Sequence, residues 1–183
     1  LIPYGRRNTD FQGVGEQDVF ATLQTVRDLF PVDPDRLYLS GCSMGGMGVW
    51  NIMLRHPGVF AAATPMCGHT DMFKWWRWPR EEMPAWKRRL VEWDNAVDQA
   101  LNVTNQRFFA QHGELDNLVP AEQSRLMVQA ARQVASPIEY YEWPGESHFI
   151  YLQKEPYEKA WGWQKQFALD RSPQELRFVC YSL

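Results

Sequence analysis

One short stretch constrains this chain more than any other. Gly41-Cys42-Ser43-Met44-Gly45 follows the apolar run Leu37-Tyr38-Leu39 and precedes a helix-like segment. Gly-x-Ser-x-Gly between a strand and a helix is the pattern of a nucleophile elbow, a turn sharp enough to strain the backbone of its serine. The two glycines avoid the collisions that side chains would cause there. The pattern predicts that Ser43 stands clear of a sheet, near a helix N-terminus that favours developing negative charge.

The alternative is a glycine-rich turn that closes an α/β unit, with Ser43 as an ordinary helix N-cap. A chain of this composition would contain about 0.03 such patterns by chance. The strand and helix on either side of the motif favour the nucleophile over the cap.

A nucleophilic serine needs a base, and the chain has four histidines. His148 lies in a Pro/Gly loop after the strand-like run Ile138–Glu142, and catalytic side chains collect in such loops. His56 is expected at a helix C-terminus, and His112 is expected to hydrogen-bond locally and shape a neighbouring loop. His69 follows a strand end, so it is a candidate substrate contact. We predict that His148 is the general base.

An acid is expected between the serine and the histidine, because the partners of such an elbow follow in the order acid, then histidine. Asp116 lies in the loop His112–Pro120, after a strand-like run and before a helix-like one. Its role would be to accept the imidazole N–H and stabilise the imidazolium. Glu114 is the competing acid, and an Asx turn or helix cap is the structural alternative for Asp116.

The periodicity predicts alternating strands and helices. This order favours a three-layer α/β/α sandwich with a doubly wound, mostly parallel sheet and ligand chemistry at the carboxyl ends of its strands. Ser43, Asp116 and His148 all fall at such ends. The predicted strands are Arg36–Ser40, Phe60–Met66, Gln106–Gln111 and Ile138–Glu142; the predicted helices begin near Gly13–Gly15 and cover Met44–Arg55, Pro120–Ala135 and Glu155–Leu169.

Residues 69–105 interrupt this alternation with a tryptophan-rich insertion. It contains Trp75, Trp76, Trp78, Trp86 and Trp93. One interpretation is a cap whose tryptophans and His69 form a substrate rim, with Trp75, Trp76 and Trp78 offering flat faces to a sugar or an aromatic acyl group. The other interpretation is a helical insertion whose tryptophans pack on the main domain.

Several segments together resemble a known superfamily. They are Gly15–Val19, Val32–Gly46, Phe60–Ala62 and His112–Pro120, and they are similar to those of α/β-hydrolases, more narrowly to serine hydrolases of the prolyl-oligopeptidase family (peptidase S9). That group is similar to feruloyl and acetyl-xylan esterases and polyhydroxybutyrate depolymerases. The resemblance implies catalytic roles for Ser43, Asp116 and His148, and an oxyanion-hole role for the backbone N–H of Met44.

The ends of the chain lead to further expectations. We expect residues 1–170 to form a partial catalytic domain and residues 171–183 to begin a truncated C-terminal extension with a strand-like run over 175–183. The resemblance implies further N-terminal strands with a second oxyanion donor, and hence a fragment of a longer protein. It also implies secretion or a periplasmic location.

The composition limits the partners of the chain. A net charge of −3 gives no general attraction to nucleic acid, and no apolar stretch is long enough to span a bilayer. Cys42, Cys67 and Cys180 lack metal-like spacing and are expected to be buried free thiols. We expect no metal and no cofactor. The favoured function is hydrolysis of a small-molecule, carbohydrate-linked or polyester ester, the first alternative is a serine peptidase, and the second is an inactive carbohydrate-binding module.

Overall fold

Four short strands form one parallel sheet in the computed structural model, which describes residues 1–136 and 138–179. The strand order is β1-β2-β3-β4, and each neighbouring pair is parallel. The carboxyl ends of the strands therefore lie along one edge, and the loops that leave this edge can meet. The strands are β1 (Tyr38–Cys42), β2 (Ala62–Met66), β3 (Phe108–Gly113) and β4 (Ile138–Trp143).

Helices connect the strands and cover both faces of the sheet. The α-helices are α1 (Val14–Leu29), α2 (Met44–Arg55), α3 (Met72–Trp75), α4 (Ala85–Asp94), α5 (Glu122–Gln133) and α6 (Lys154–Gln164). Short 3₁₀ segments span Arg80–Glu82, Ala96–Asn105 and His148–Leu152. None of the helices in the described ranges is both long and apolar enough to cross a membrane.

Alternating side chains along β3 separate the two faces. Phe108 and Ala110 join the larger core, which includes apolar residues of α1, α2 and α5. Phe109 contacts the ring of Trp163 on α6, and Gln111 donates to the backbone oxygen of Pro156, also on α6, at 3.0 Å. The period-2 alternation of a strand sends neighbouring side chains to opposite faces. The predicted α/β/α class with a mostly parallel sheet is confirmed.

The insertion between β2 and β3 is not a cap along its whole length. Its last segment, Ala96–Asn105, lies in the helical layer, where Ala96, Ala100 and Val103 are buried in the larger core. Its first residues are tied to α5, because Gln123 accepts the backbone N–H groups of Thr70 and Asp71 at 2.9 Å and 2.8 Å. The insertion thus replaces a crossover helix as well as adding surface.

The prediction of a strand over residues 175–183 is wrong for the part of this range that the structure describes. Glu175–Val179 belong to no strand, while residues 180–183, including Cys180, lie outside the described residues. Two asparagine side chains hold the tail instead. Asn102 bonds both backbone groups of Val179, and Asn105 bonds both backbone groups of Arg177. The alternating sequence reflects an extended segment bound by side-chain amides rather than by a neighbouring strand.

Candidate active site

A single residue, Ser43, separates β1 from α2. β1 ends at Cys42 and α2 begins at Met44, so Ser43 lies between them with φ 54° and ψ −118°. A positive φ is strained for a residue with a Cβ atom. The Ser43 N–H donates to the backbone oxygen of Met66 at 2.9 Å, which ties the turn to the end of β2. The predicted strained elbow is therefore present.

The two glycines of the motif differ in what they allow. A Cβ atom on Gly41 would lie 2.3 Å from the backbone oxygen of Gly45, which no real structure tolerates. A Cβ atom on Gly45 would meet nothing closer than the ring of Phe11 at 3.9 Å. Gly46 has the second tight position, because a Cβ atom there would lie 2.4 Å from the backbone oxygen of Met66. The expectation that both motif glycines avoid a collision holds for Gly41 and fails for Gly45.

Three side chains from three loops form one hydrogen-bonded row. His148 Nε2 lies 2.9 Å from Ser43 Oγ, and His148 Nδ1 lies 2.6 Å from Asp116 Oδ2. His148 and Asp116 are only 3% and 6% exposed. Because Nδ1 faces a carboxylate, it carries the ring proton, and Nε2 is left to accept the hydroxyl proton of Ser43. This arrangement can activate a serine oxygen for attack on a carbonyl.

Asp116 is held as a carboxylate by four N–H groups. Its Oδ1 accepts the backbone N–H groups of Leu118 and Val119 at 2.9 Å and 2.8 Å. Its Oδ2 faces His148 and also His112 Nε2, at 3.1 Å. Burial alone would raise the pKa of Asp116, but the hydrogen bonds from His112 and His148 outweigh it and hold this pKa below its ordinary value. The acid therefore stays charged in its buried position.

The competing acid, Glu114, has a different position. Its Oε2 accepts the N–H of Gly145 at 2.8 Å, so it braces the turn before His148 and is not a partner of the imidazole. The two loops also pack backbone to backbone, since a Cβ atom on Gly113 would lie 2.1 Å from the backbone oxygen of Ser147. This contact brings the loop with Asp116 against the loop with His148. No pattern in the sequence marked Glu114 or Gly113 for these roles.

Met44 is placed as an oxyanion donor would be. It is the first residue of α2, and backbone N–H groups in the first turn of a helix have no intrahelical acceptor. The N-terminal end of α2 also carries the positive end of the helix dipole next to Ser43. An oxyanion-hole role for this N–H stays a prediction.

One group of side chains near Asp116 has the composition of a metal site. Ligand atoms of Cys67, His112 and Asp116 all lie within 4.8 Å of one another, and all three residues are buried. Both ring nitrogens of His112 already have hydrogen-bond partners, because Nδ1 faces Ser124 Oγ and Nε2 faces Asp116 and the backbone oxygen of Val119. We therefore assign these groups to the hydrogen-bonded network around Asp116.

His56 and Cys42 both lie outside the candidate active site. His56 is the C-cap of α2, as expected, and its Nε2 lies 2.7 Å from Glu16 Oε1 on α1. Cys42 is a half-buried free thiol whose Sγ lies 3.3 Å from the hydroxyl of Tyr157. Neither residue joins the row of Ser43, His148 and Asp116.

His69 and three tryptophans form a continuous aromatic cluster after β2. The His69 and Trp75 rings are parallel at 5.3 Å, Trp75 meets Trp76 edge-on at 6.3 Å, and Trp76 stacks on Trp78 at 6.0 Å. Trp76 is 56% exposed and Trp78 is 36% exposed. Burial lowers the pKa of His69 to about 4, so its ring is neutral. The exposure of Trp76 and Trp78 does not favour packing of these two rings on the main domain, whereas His69 and Trp75 are half-buried.

Comparison with known proteins identifies the family of this chain. The sequence profile of the prolyl oligopeptidase family matches residues 6–170. Among curated proteins, the uncharacterized peptidase YtmA of Bacillus subtilis (strain 168) is 23% identical over 157 residues, which cover 80% of this chain and 60% of that protein. The chain spans 12%, 60% and 22% of the lengths of the three curated relatives that it matches.

Solved structures give the same picture of the fold. A thermostable esterase superposes with a TM-score of 0.65 at 23% identity, covering 85% of this chain and 37% of its own. A puromycin-hydrolyzing peptidase of Mycobacterium tuberculosis superposes with a TM-score of 0.60 at 26% identity, covering 72% of this chain and 21% of its own. Proteins with this fold thus include an esterase and a peptidase.

Proposed function

Because the chain belongs to the prolyl oligopeptidase family of serine hydrolases, we propose that it cleaves a carboxylic ester with Ser43, His148 and Asp116 as its catalytic groups. The row of hydrogen bonds from Ser43 Oγ through His148 to Asp116 Oδ2 supports this proposal more than any other observation. The row has the tautomer that the chemistry requires, and its acid is buried and charged.

The reaction proceeds in two halves. Ser43 Oγ attacks the carbonyl carbon while His148 Nε2 takes the hydroxyl proton, and Asp116 stabilises the imidazolium. The N–H of Met44 donates to the oxyanion of the tetrahedral intermediate. His148 then protonates the leaving alcohol, and the acyl group remains on Ser43. A water molecule, deprotonated by His148, attacks the acyl-enzyme and releases the acid.

Ester and peptide substrates differ mainly in the leaving group. An amide requires protonation of a poorer leaving amine and a groove for the peptide chain, and the sequence contains no pattern typical of such a groove. The aromatic cluster instead offers flat apolar faces that suit a sugar or an aromatic acyl group. The peptidase alternative is supported by the similarity to YtmA and to the puromycin-hydrolyzing peptidase.

A substrate panel separates these functions, using the full-length natural protein. We expect hydrolysis of methyl ferulate and acetylated xylo-oligosaccharides, and much slower cleavage of prolyl and aminoacyl 4-nitroanilides. A fluorophosphonate should abolish turnover and leave its adduct on Ser43, as located by peptide mass spectrometry. Preferred cleavage of the anilides would support the peptidase. Sugar binding with neither turnover nor adduct would support the binding module.

A second proposal concerns the substrate rim. We propose that the aromatic cluster contacts the larger part of the substrate. Changing Trp75→Ala together with Trp76→Ala should raise KM for a feruloylated oligosaccharide about tenfold, from the loss of two aromatic contacts. KM for 4-nitrophenyl acetate should stay within twofold in the same variant.

The matched control is Trp86→Ala, which removes a 69% exposed tryptophan of α4 from outside the cluster. Its KM values should equal those of the wild type for both substrates. If KM of the double variant changes equally for the large and the small ester, the proposal that the aromatic cluster contacts the substrate is wrong.

A further inference from the structure

We propose that His112 is a positioning residue for the acid of the site: its Nε2–H orients Asp116 and moderates the basicity that Asp116 presents to His148. This inference rests on the proposed function, since it concerns the same row of side chains. It concerns a second imidazole, which touches no reacting atom and acts only through Asp116.

The proton on His112 is fixed by what its ring nitrogens face. Nε2 lies 3.1 Å from Asp116 Oδ2 and 2.8 Å from the backbone oxygen of Val119. A carboxylate and a carbonyl can only accept, so Nε2 carries the proton and shares it between them. His112 is fully buried at the end of β3, and no solvent competes for this N–H.

A serine on α5 completes the second arm. Ser124 Oγ lies 2.7 Å from His112 Nδ1, and Ser124 is 2% exposed. With the proton on Nε2, Nδ1 is the acceptor nitrogen of His112, so the Ser124 hydroxyl donates to it and supports the Nε2–H tautomer. The network is thus nearly symmetric about Asp116, with a histidine and a serine on each side. A surface groove next to Ser43 is lined by residues of β1 and α2, together with Phe11 and Tyr151. Only the arm that ends at Ser43 reaches this groove.

The N–H groups of His112 and His148 both donate to Asp116 Oδ2, which restricts the orientation of the carboxylate and changes its charge distribution. Together with the backbone donors on Oδ1, they leave the Asp116 carboxylate one orientation. The His112 N–H also draws charge from Oδ2, so that oxygen binds the Nδ1 proton of His148 less strongly than a carboxylate with one partner would. We infer that His112 sets how readily His148 gives its proton to the leaving group.

Other titratable groups face this network and do not replace His112. Cys67, the residue that follows β2, has its pKa raised by burial and by its hydrogen bond to Asp116, so it stays a neutral thiol. Glu142 of β4 forms an ion pair with Arg125 of α5. The Tyr151 ring meets the His148 ring edge-on at 5.9 Å and donates nothing to Asp116 among the described hydrogen bonds. These groups are unchanged in the variants below.

The test compares His112→Gln with His112→Met. Glutamine and methionine have similar length and volume, and only glutamine can offer an N–H at the position of Nε2. We expect kcat to fall about 10- to 100-fold in H112M and only a few-fold in H112Q, with KM unchanged in both. The acid limb of the kcat/KM profile should move to higher pH in H112M, because a more basic Asp116 keeps His148 protonated over a wider range.

A second readout does not depend on catalysis. The low-field proton resonance of the His148 Nδ1–H should move further downfield in H112M and stay near the wild-type position in H112Q. The ¹⁵N shifts of His112 in the wild-type protein should report the Nε2–H tautomer. If H112M does not fold, this wild-type measurement still decides, because an Nδ1–H tautomer would overturn the proposal.

The outcomes separate the two proposals. Equal resonances and equal pH profiles in the Met and Gln variants would mean that His112 only fills space, and the inference would be wrong. A resonance shift in H112M, combined with full activity after loss of the Ser43 hydroxyl, would keep the positioning role and reject the proposed function.

Discussion

Ser43→Ala is expected to lower kcat by about six orders of magnitude, the loss known for a serine that acts as one unit with its histidine and acid. The reason is that Ser43 Oγ is the oxygen that His148 Nε2 faces, at 2.9 Å, and alanine has no oxygen at that position. Alanine keeps the Cβ atom, so the strain at φ 54° is the same and the fold should persist. The measurement is kcat for an ester under substrate saturation, with circular dichroism to verify folding.

Ser40→Ala is the matched control. Ser40 lies three residues earlier on β1, and its hydroxyl bonds the side-chain amide of Gln164. Its loss should change kcat less than threefold, because this hydroxyl bonds Gln164 and none of the three catalytic groups, although Ser40 lines the same groove as Ser43. A loss below tenfold for Ser43→Ala would reject the nucleophile, and an equal loss in both variants would show a general effect of the substitutions.

The candidate site could be predicted from the sequence because its geometry follows from few constraints. A parallel sheet places all carboxyl strand ends at one edge, so residues that directly follow strands meet without any knowledge of side-chain packing. Ser43 directly follows β1, and Asp116 and His148 lie in the loops that follow β3 and β4. The three residues are 73 and 32 positions apart along the chain. The elbow motif then singles out one serine among several.

The limits of the strands were harder to predict. The first and third strands were expected to end at Ser40 and Gln111, but they continue to Cys42 and Gly113. Glycine lowers the intrinsic preference for a strand. The register nevertheless pairs Cys42 with Met66 and Gly113 with Trp143, and these neighbours extend the ladder. Pairing across strands is not visible in local sequence, which accounts for the two residues missing from the predicted end of each strand.

Contacts that depend on side-chain packing were also beyond the sequence. Nothing in the order of residues indicates that Ser124 of α5 meets His112, or that Glu114 braces Gly145. The tail was expected to be a strand from its alternation, whereas Asn102 and Asn105 bind its backbone. Both cases involve partners distant in sequence, and alternation alone cannot distinguish a sheet from an extended segment held by side chains.

Asp116→Asn is expected to lower kcat by about four orders of magnitude, and the structure explains why the substitution is so damaging. The backbone N–H groups of Leu118 and Val119 require an acceptor at Oδ1, so the asparagine carbonyl must take that place. Its NH₂ group then faces His148 Nδ1, which has to become an acceptor. The ring proton moves to Nε2, next to Ser43, and the base can no longer take the hydroxyl proton.

Glu114→Gln is the control that separates this effect from a general loss of charge. Glutamine keeps an oxygen that can accept the N–H of Gly145, so the turn before His148 should survive and kcat should change less than threefold. In Asp116→Asn, KM should stay close to the wild-type value, because Asp116 is buried behind His148 and has no contact with the groove beside Ser43. If Glu114→Gln lowers kcat as strongly as Asp116→Asn, the assignment of the acid is wrong, since the two carboxylates differ in the one feature that matters here, the bond to the imidazole.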